Sequence, residues 1–349
     1  MTALRPSLWY SSRIVSSVSS CAGPSFPQPG NKVVALSPSI EHREMSSVVD
    51  KISSATSSAV EAVTSRLTPM HPLARSGFDL SGASGLYDRA RPSYPTEAIE
   101  AILTAPTART NGKKSKLSIV ELGSGTGIAT RALLAQSNDR IAKLVAVEPS
   151  IGMRQGWEKA IAPVRQTLHD VELKTVDGAF ENINAGHDND IVLVAQAWHW
   201  TRDFSKAIAE ISSTLRPGGV FALMWNLEDR DAASWVAGLR DHYEQYENDT
   251  PQYRRMLWRE PTYAAPALKD FDHLEPLAFC RELPTTIEGV TDRLLSKSYI
   301  SVLEEPEKTK LIDSCRKVVE SSPDRKWLDK EKGIFAYPYK TDLLLFRKK

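Results

Sequence analysis

The segment that most narrows the fold is Glu121-Leu122-Gly123-Ser124-Gly125-Thr126-Gly127, set between an apolar-rich run, Leu117–Leu122, and an Ala- and Leu-rich stretch, Ile128–Gln136. Glycine lets the backbone turn sharply and approach a ligand with no Cβ in the way. A strand, a tight glycine turn and a helix, in that order, belong to open α/β sheets, whose ligands sit outside the carboxyl ends of the strands. The chain keeps this rhythm. Lys143–Val147 reads as a strand, Ile151–Ile161 as a helix, Val171–Val176 as a strand, and Asp190–Gln196 as a strand with the unbroken core Ile191-Val192-Leu193-Val194-Ala195. Phe204–Leu215 reads as a helix closed by Pro217-Gly218-Gly219, and Val220–Trp225 as a fifth strand. Apolar runs buried on both faces and joined through helices predict a Rossmann-like, doubly wound, mostly parallel sheet. Late strands near Leu274–Leu283 and Thr341–Phe346 bring the expected count to seven. The aromatic and charged stretch before them predicts a helical cap over the carboxyl edge of the sheet.

Ahead of the glycine turn, Phe78, Gly82, Tyr87, Arg89, Arg91, Pro92, Tyr94 and Pro95 form a dense run, and Thr96 is placed to cap a helix over Glu97–Leu103. Thr107–Lys116 is polar and basic and reads as a loop. Residues 46–67 have near-helical apolar spacing that Pro69 and Pro72 would end. The first 40 residues carry Arg5, Arg13 and Lys32 and no acid before Glu41. That composition resembles a mitochondrial presequence; its other readings are an unstructured tail, or a start placed too early with Met45 as initiator. These observations divide the chain into an N-terminal extension, 1–75, and a single domain, 76–349, with its core at 115–226 and the cap and final strands at 227–349. The expected compartment is the cytoplasm, or the mitochondrion if the extension is a targeting peptide.

Composition excludes several classes. A net charge of +1 gives no field that would draw nucleic acid. No apolar run approaches the roughly 18 residues of a membrane span, so no integral membrane association is expected. Cys21, Cys280 and Cys315 are widely spaced and odd in number, which suggests neither a disulfide framework nor a metal pair. No metal site is expected, because the seven histidines are scattered.

Glu148 closes the second predicted strand, 21 residues after Gly127. A carboxylate there can accept hydrogen bonds from both hydroxyls of a ribose. Dinucleotide sites use GxGxxG to hold a pyrophosphate, whereas these glycines run GxGxG with Glu121 immediately before them. An acid so placed repels phosphate and favours a cation, and S-adenosylmethionine carries a sulfonium and an ammonium.

The set ELGSGTG, VEPS (Val147–Ser150), DIVLVAQAWHW (Asp190–Trp200) and LRPGG (Leu215–Gly219) resembles the class I S-adenosylmethionine-dependent methyltransferases of the type-11 family. GLYDRARPSYP (Gly85–Pro95) and MWN (Met224–Asn226) resemble its trans-aconitate-methyltransferase-like subgroup, and the likeness runs from about Phe78 to Phe346. It implies S-adenosylmethionine as cofactor. Gly123, Ser124, Gly125 and Gly127 would shape the loop around its methionine part, with Glu121 anchoring the loop and facing the amino group. Glu148 would hold the ribose, and Pro149 and Met153 would line the adenine side. Gly178-Ala179-Phe180-Glu181 would form the adenine edge. Ala179 stands where many relatives have Asp or Thr, so backbone groups or Asp177 would substitute. Gln196 and Ala197 would pass beneath the sulfonium. Tyr87 and Arg91 would fold over the cofactor and reach its carboxylate, or else dock the preceding segment.

On the acceptor side, His199 lies between Trp198 and Trp200, just past the fourth strand. It is a candidate catalytic residue, as general base or acceptor orienter, and its other reading is a histidine that packs the strand end. Trp200, Trp225, Asn226 and Arg230 are candidates for the acceptor pocket. Trp235, Tyr243, Tyr246, Tyr253 and Trp258 read as packing rather than as an aromatic cage. The expected partner is a small-molecule acceptor, with O-methylation of a carboxylate or of a phenolic, polyketide-like compound of secondary metabolism. A protein that holds S-adenosylmethionine without turnover and an NAD-dependent oxidoreductase are the alternatives. The sequence sets no oligomeric state.

Overall fold

In the computed structural model, residues 83–109, 116–137, 139–168 and 170–349 are described. The readings for the 1–75 extension, the helix over 46–67, and Phe78 and Gly82 lie outside them.

Register explains why the central strands are apolar throughout. Ile119 of β1 (Leu117–Leu122) pairs with Leu144 of β2 (Ile141–Val147) and with Ile191 of β4 (Asn189–Ala195), and Ile191 pairs in turn with Val220 of β5 (Leu215–Glu228). One residue further along, Val120, Val145, Val192 and Phe221 pair in the same way. Because side chains alternate along a strand, these two rows face opposite sides of the sheet, and each row is fully buried in its own core cluster. Each such side chain contributes about 1.5–3 kcal/mol of hydrophobic stabilisation, so a sheet of this kind needs helices on both faces.

Three helices cover the first face: α2 (Thr96–Thr104), α3 (Ile128–Ser137) and α4 (Ile151–Arg165) bring Ile99, Ile102, Leu133, Trp157 and Ile161. On the other face, α5 (Phe204–Thr214) brings Ala207, Ile208 and Ile211. Pro95, rather than Thr96, occupies the N-cap of α2, with no side-chain cap bond, and Thr96 is the first helical residue.

The sheet order is β3-β2-β1-β4-β5-β9-β6, with β3 spanning Glu172–Val176. Strands β1 to β5 are parallel, and β9 (Ile334–Lys348) runs antiparallel to β5. Among the described residues the sheet has nine strands rather than the seven expected. The two extra strands, β6 (Phe271–His273) and β8 (Trp327–Asp329), are three residues each, too short to show a period in sequence. β7 is Leu277–Thr285, and β9 is more than twice as long as the predicted 341–346.

That length gives β9 membership of two cores. Leu343 and Leu345 belong to one face of the main sheet, whereas Phe335, Tyr337 and Tyr339 belong to a third cluster that forms the cap. The cap cluster also takes Trp235, Val236, Leu239 and Tyr243 of α6 (Ser234–Tyr243), Val290 and Leu294 of α8 (Ile287–Leu295), and Leu311, Cys315 and Val319 of α10 (Glu307–Ser321). α7 (Arg259–Ala264) follows α6 in the chain and packs against α5, and α9 (Ser298–Ser301) follows α8. α1 (Ala83–Ala90) precedes α2 and bridges the glycine turn and the cap.

Cys315 is free and buried. Among the described residues no helix is long and apolar enough to cross a membrane.

Candidate functional site

Two cavities meet at the carboxyl ends of β1, β4 and β5. The first, about 280 Å³, is lined by Tyr87, Tyr94, Glu121, Gly123, Ser124, Gly125, Thr126, Ile128, Ala129, Ala195 and Gln196. Its floor is the glycine turn. Gly125 has φ +55°, and a Cβ there would enter open space. Gly123 has φ +66°, and its missing Cβ leaves room for the Ala197 methyl, which would stand 2.7 Å from it. Gly127 begins the path into α3 at φ +83°, against the indole of Trp157.

Two carboxylates brace the turn. Glu148 Oε2 accepts from the Gly125 N–H and its Oε1 accepts from the Ser150 N–H, each at 2.9 Å. Ser150 in turn caps α4 by accepting from the Met153 N–H. Glu121 is buried and accepts from the Thr130 hydroxyl, to which the Trp157 indole N–H donates at 2.9 Å. Burial is the main cause that pushes the Glu121 carboxyl up to about 7, with the nearby Glu148 adding to it. The nearest guanidinium, Arg131, is occupied by Asp88 at 2.6 Å and by the Thr126 carbonyl at 3.0 Å.

The residues present fit S-adenosylmethionine. Ser124 Oγ is buried on this cavity with no hydrogen-bond partner among the described residues, Gly125 leaves its Cβ volume open, and the Glu121 carboxyl on the cavity wall suits a cationic ligand. Neither Gly127 nor Glu148 lines this cavity, Glu148 spending its oxygens on the Gly125 and Ser150 N–H groups. Pro149, Met153, Asp177, Ala179, Phe180 and Ala197 do not line it either. They gather beside it, at the ends of β2, β3 and β4. Phe180 packs edge-on to Trp198 at 5.7 Å, Ala179 is buried and exchanges backbone hydrogen bonds with Asn182, and Asp177 is exposed and pairs with Arg154 at 3.2 Å.

The second cavity, about 640 Å³, opens between the sheet and the cap. Tyr87 and Gln196 line both cavities and mark their junction. Gln196 is held there at φ +57°, a left-handed conformation costly for a residue with a side chain. Its amide is pinned in both directions, donating to the Asn226 carbonyl at 2.8 Å and accepting from the Asn226 N–H at 3.2 Å. Asn226 itself donates to the Ser93 carbonyl and accepts from the Thr341 hydroxyl, tying β5 to the segment that carries Arg91.

The wall of the second cavity is charged. Arg293 and Lys297 share Glu228, at 2.8 and 3.1 Å, and all three are buried. Tyr243 donates to Glu228 at 3.3 Å, and Lys297 lies 4.1 Å above the Tyr243 ring. The two cations hold the Glu228 carboxyl well below the usual carboxylate range against the opposing effect of burial. Burial, then Arg293, brings the Lys297 ammonium down to about 7. Arg91 donates to Ser296 Oγ and to the Ser296 carbonyl, stacks over Tyr87 at 4.7 Å, and among the described residues has no carboxylate within 4 Å. Farther along the wall Glu244 and Glu247 are matched by Arg240 and Arg254 at 2.6 and 2.5 Å. Arg293 and Lys297 thus share one carboxylate, and Arg91 beside them pairs with none among the described residues.

His199 and Trp200 line the same cavity. Burial, then the Arg91 cation, holds the His199 imidazole down to about 3, so the ring is neutral near pH 7. Its Nδ1 accepts from the Trp225 indole N–H at 3.3 Å. Trp225 itself is fully buried and does not line the cavity, and neither does Arg230, which pairs with Asp241 at 2.9 Å and approaches Glu244 of the wall at 3.9 Å. Arg91, which the sequence assigns to the cofactor, lines the second cavity and not the first. Tyr243 and Tyr253, read as packing, also line it. Sequence reasoning missed Glu228, Arg293, Lys297 and Tyr299. They carry no local motif and meet only when α8 and α9 fold against the end of β5.

Compared with known proteins, residues 120–223 match a family described as a methyltransferase domain. Over 268 residues the chain is 32% identical to an uncharacterized methyltransferase of Mycobacterium tuberculosis, covering 76% of this chain and 93% of that protein. It is 27% identical over 150 residues to an uncharacterized methyltransferase of Schizosaccharomyces pombe, covering 43% of this chain and 53% of that one. A solved structure of a putative type II methyltransferase from Anaeromyxobacter dehalogenans aligns at 20% identity with a TM-score of 0.48, covering 74% of this chain and 97% of that one.

Proposed function

The chain belongs to the methyltransferase family, it is an S-adenosylmethionine-dependent enzyme, and from that premise we propose that its acceptor is a carboxylate oxygen of a small organic acid. The observation that carries the proposal is the charge imbalance at the second cavity, where Arg293 and Lys297 share the single carboxylate of Glu228 behind the wall and Arg91, beside them, has no carboxylate partner among the described residues. Buried cations in excess of their partners are costly, and an anionic ligand relieves that cost. A carboxylate also suits the fork of an arginine, which can donate to both its oxygens. The trans-aconitate-methyltransferase-like resemblance of the motifs points the same way.

When bound, S-adenosylmethionine supplies a methyl group on a sulfonium sulfur, ready for in-line displacement. The chain's own part is alignment. Gln196 and Tyr87, at the junction of the cavities, fix where acceptor and donor meet. Arg91, Arg293 and Lys297 hold the acceptor by its charge. A carboxylic acid with a pKa near 4 is already ionised at neutral pH, so no side chain must remove a proton. The low basicity of His199 agrees with this. A phenol would need a base, and in this cavity Lys297 in its neutral form competes for that task only with Glu244 and Glu247, which are already paired with Arg240 and Arg254.

The test is to offer small carboxylic acids and phenols with methyl-labelled S-adenosylmethionine and to treat the product with mild alkali. Methyl esters hydrolyse, whereas aryl methyl ethers survive. Label released by alkali supports the carboxylate, and label that survives refutes it.

A further inference from the structure

The indole of Trp225 decides which nitrogen of His199 carries the proton. An indole N–H can only donate, and it lies 3.3 Å from His199 Nδ1, so Nδ1 must present its lone pair. In a neutral imidazole the proton then resides on Nε2. Nε2 has no hydrogen-bond partner among the described residues and is not among the buried atoms left without one, while the ring lines the second cavity. The indole is itself held. Trp225 is fully buried and stacks on Tyr253 at 4.4 Å and on Trp258 at 4.7 Å, and the Trp258 indole N–H donates to the Tyr253 carbonyl at 3.0 Å.

We propose that Trp225 is a positioning residue that locks His199 in its Nε2–H tautomer, so that the histidine meets the acceptor as a hydrogen-bond donor and not as a base. This rests on the carboxylate reading for its ligand, but the tautomer stands on the geometry alone. The consequence is specificity. An Nε2–H donates to a carboxylate oxygen and has no lone pair with which to accept a phenolic proton. The wall therefore selects against neutral hydroxyl acceptors at the ring as well as by charge.

The test begins with the full-length parent protein, labelled with ¹⁵N-histidine. Its spectrum, assigned by comparison with His199→Gln, should show His199 Nδ1 as an unprotonated nitrogen and Nε2 as protonated near pH 7. A protonated Nδ1 overturns the proposal before any variant or acceptor is tried. Trp225→Phe then keeps a ring in the stack and removes the N–H. Its His199 signal should move toward a mixture of tautomers, and KM for the acceptor should rise by the reciprocal of the fraction left as Nε2–H, about twofold for an even mixture, with KM for S-adenosylmethionine unchanged. In a His199→Gln background, whose amide has no tautomer, Trp225→Phe should cost almost nothing further. An unchanged His199 spectrum in Trp225→Phe, or an equal cost in the two backgrounds, overturns the proposal. Failure of the carboxylate reading appears instead in the alkali test and leaves the ¹⁵N result standing.

Discussion

Two alanine substitutions in the glycine turn should separate stability from cofactor binding. At Gly125, φ is +55° and a Cβ meets nothing within 4 Å. Gly125→Ala therefore costs only the left-handed backbone, about 1 kcal/mol, which lowers the melting temperature by about 2–4 °C in a domain of this size. At Gly127, φ is +83° and a Cβ would stand 2.7 Å from Trp157 Cδ1 and 3.0 Å from its Nε1. Trp157 is fully buried and cannot give way freely, and its N–H holds the Thr130 hydroxyl that donates to Glu121. Overpacking of this kind adds about 1–3 kcal/mol, for a total near 3 kcal/mol and a fall of about 6–12 °C. Binding should rank the other way. The Gly125 methyl protrudes into the first cavity, so affinity for S-adenosylhomocysteine should fall at least about tenfold, or about 1.4 kcal/mol, in a protein that is still folded. Calorimetric titration and thermal melts on both variants measure these quantities. If Gly125→Ala binds S-adenosylhomocysteine as tightly as the parent, the cavity is not the donor site. Equal melting temperatures would remove the argument from Trp157.

Further outcomes follow from the buried charges. Glu228→Gln leaves Arg293 and Lys297 buried without a carboxylate, so it should destabilise by about 3–5 kcal/mol, read from urea midpoints. Lys297 titrates near 7, and a bound anion raises that value, so acceptor affinity should weaken as pH rises from about 7 to 9. An acceptor Kd that is flat over that range counts against Lys297 as an anion ligand. The folded Glu121 is raised to about 7, above its unfolded value near 4.3, so the folded chain keeps a proton that the unfolded chain releases. Its stability contribution is therefore fully present below about pH 4 and lost as pH rises through 7. Glu121→Gln should gain roughly 1–3 kcal/mol over the parent at pH 8 and little at pH 4, while S-adenosylhomocysteine affinity falls. A parent that is the more stable at pH 8 contradicts this.

How much of this was legible in sequence depends on distance along the chain. The donor half is built from short segments, each with its own signal: the glycines at 123, 125 and 127, the acid that ends β1 and the acid that follows β2. A strand followed by a glycine turn fixes such positions locally. The acceptor half has no local signature. Glu228 and Lys297 stand 69 residues apart and meet through tertiary packing alone. Arg293 lies on α8 and Lys297 just past its end, and nothing local in the sequence shows that both turn inward. Arg230 misleads for the converse reason, since it follows β5 directly but its side chain turns toward α6. His199 lies just past the end of β4, where a local reading can find it, but its tautomer depends on Trp225, which comes from the neighbouring strand.

β9 joins the cap to the sheet without a break. It pairs with β5 from Val220–Arg347 through Glu228–Tyr339, and with β7 from Leu277–Leu343 through Thr285–Phe335. The floor under the methyl donor and the roof over its acceptor are therefore one piece of backbone hydrogen bonding. Neither half can melt while the other keeps its shape, so heat should take the protein apart in one step. A ligand that grips only one chamber then protects both, and a weakened roof lowers the working temperature of the floor.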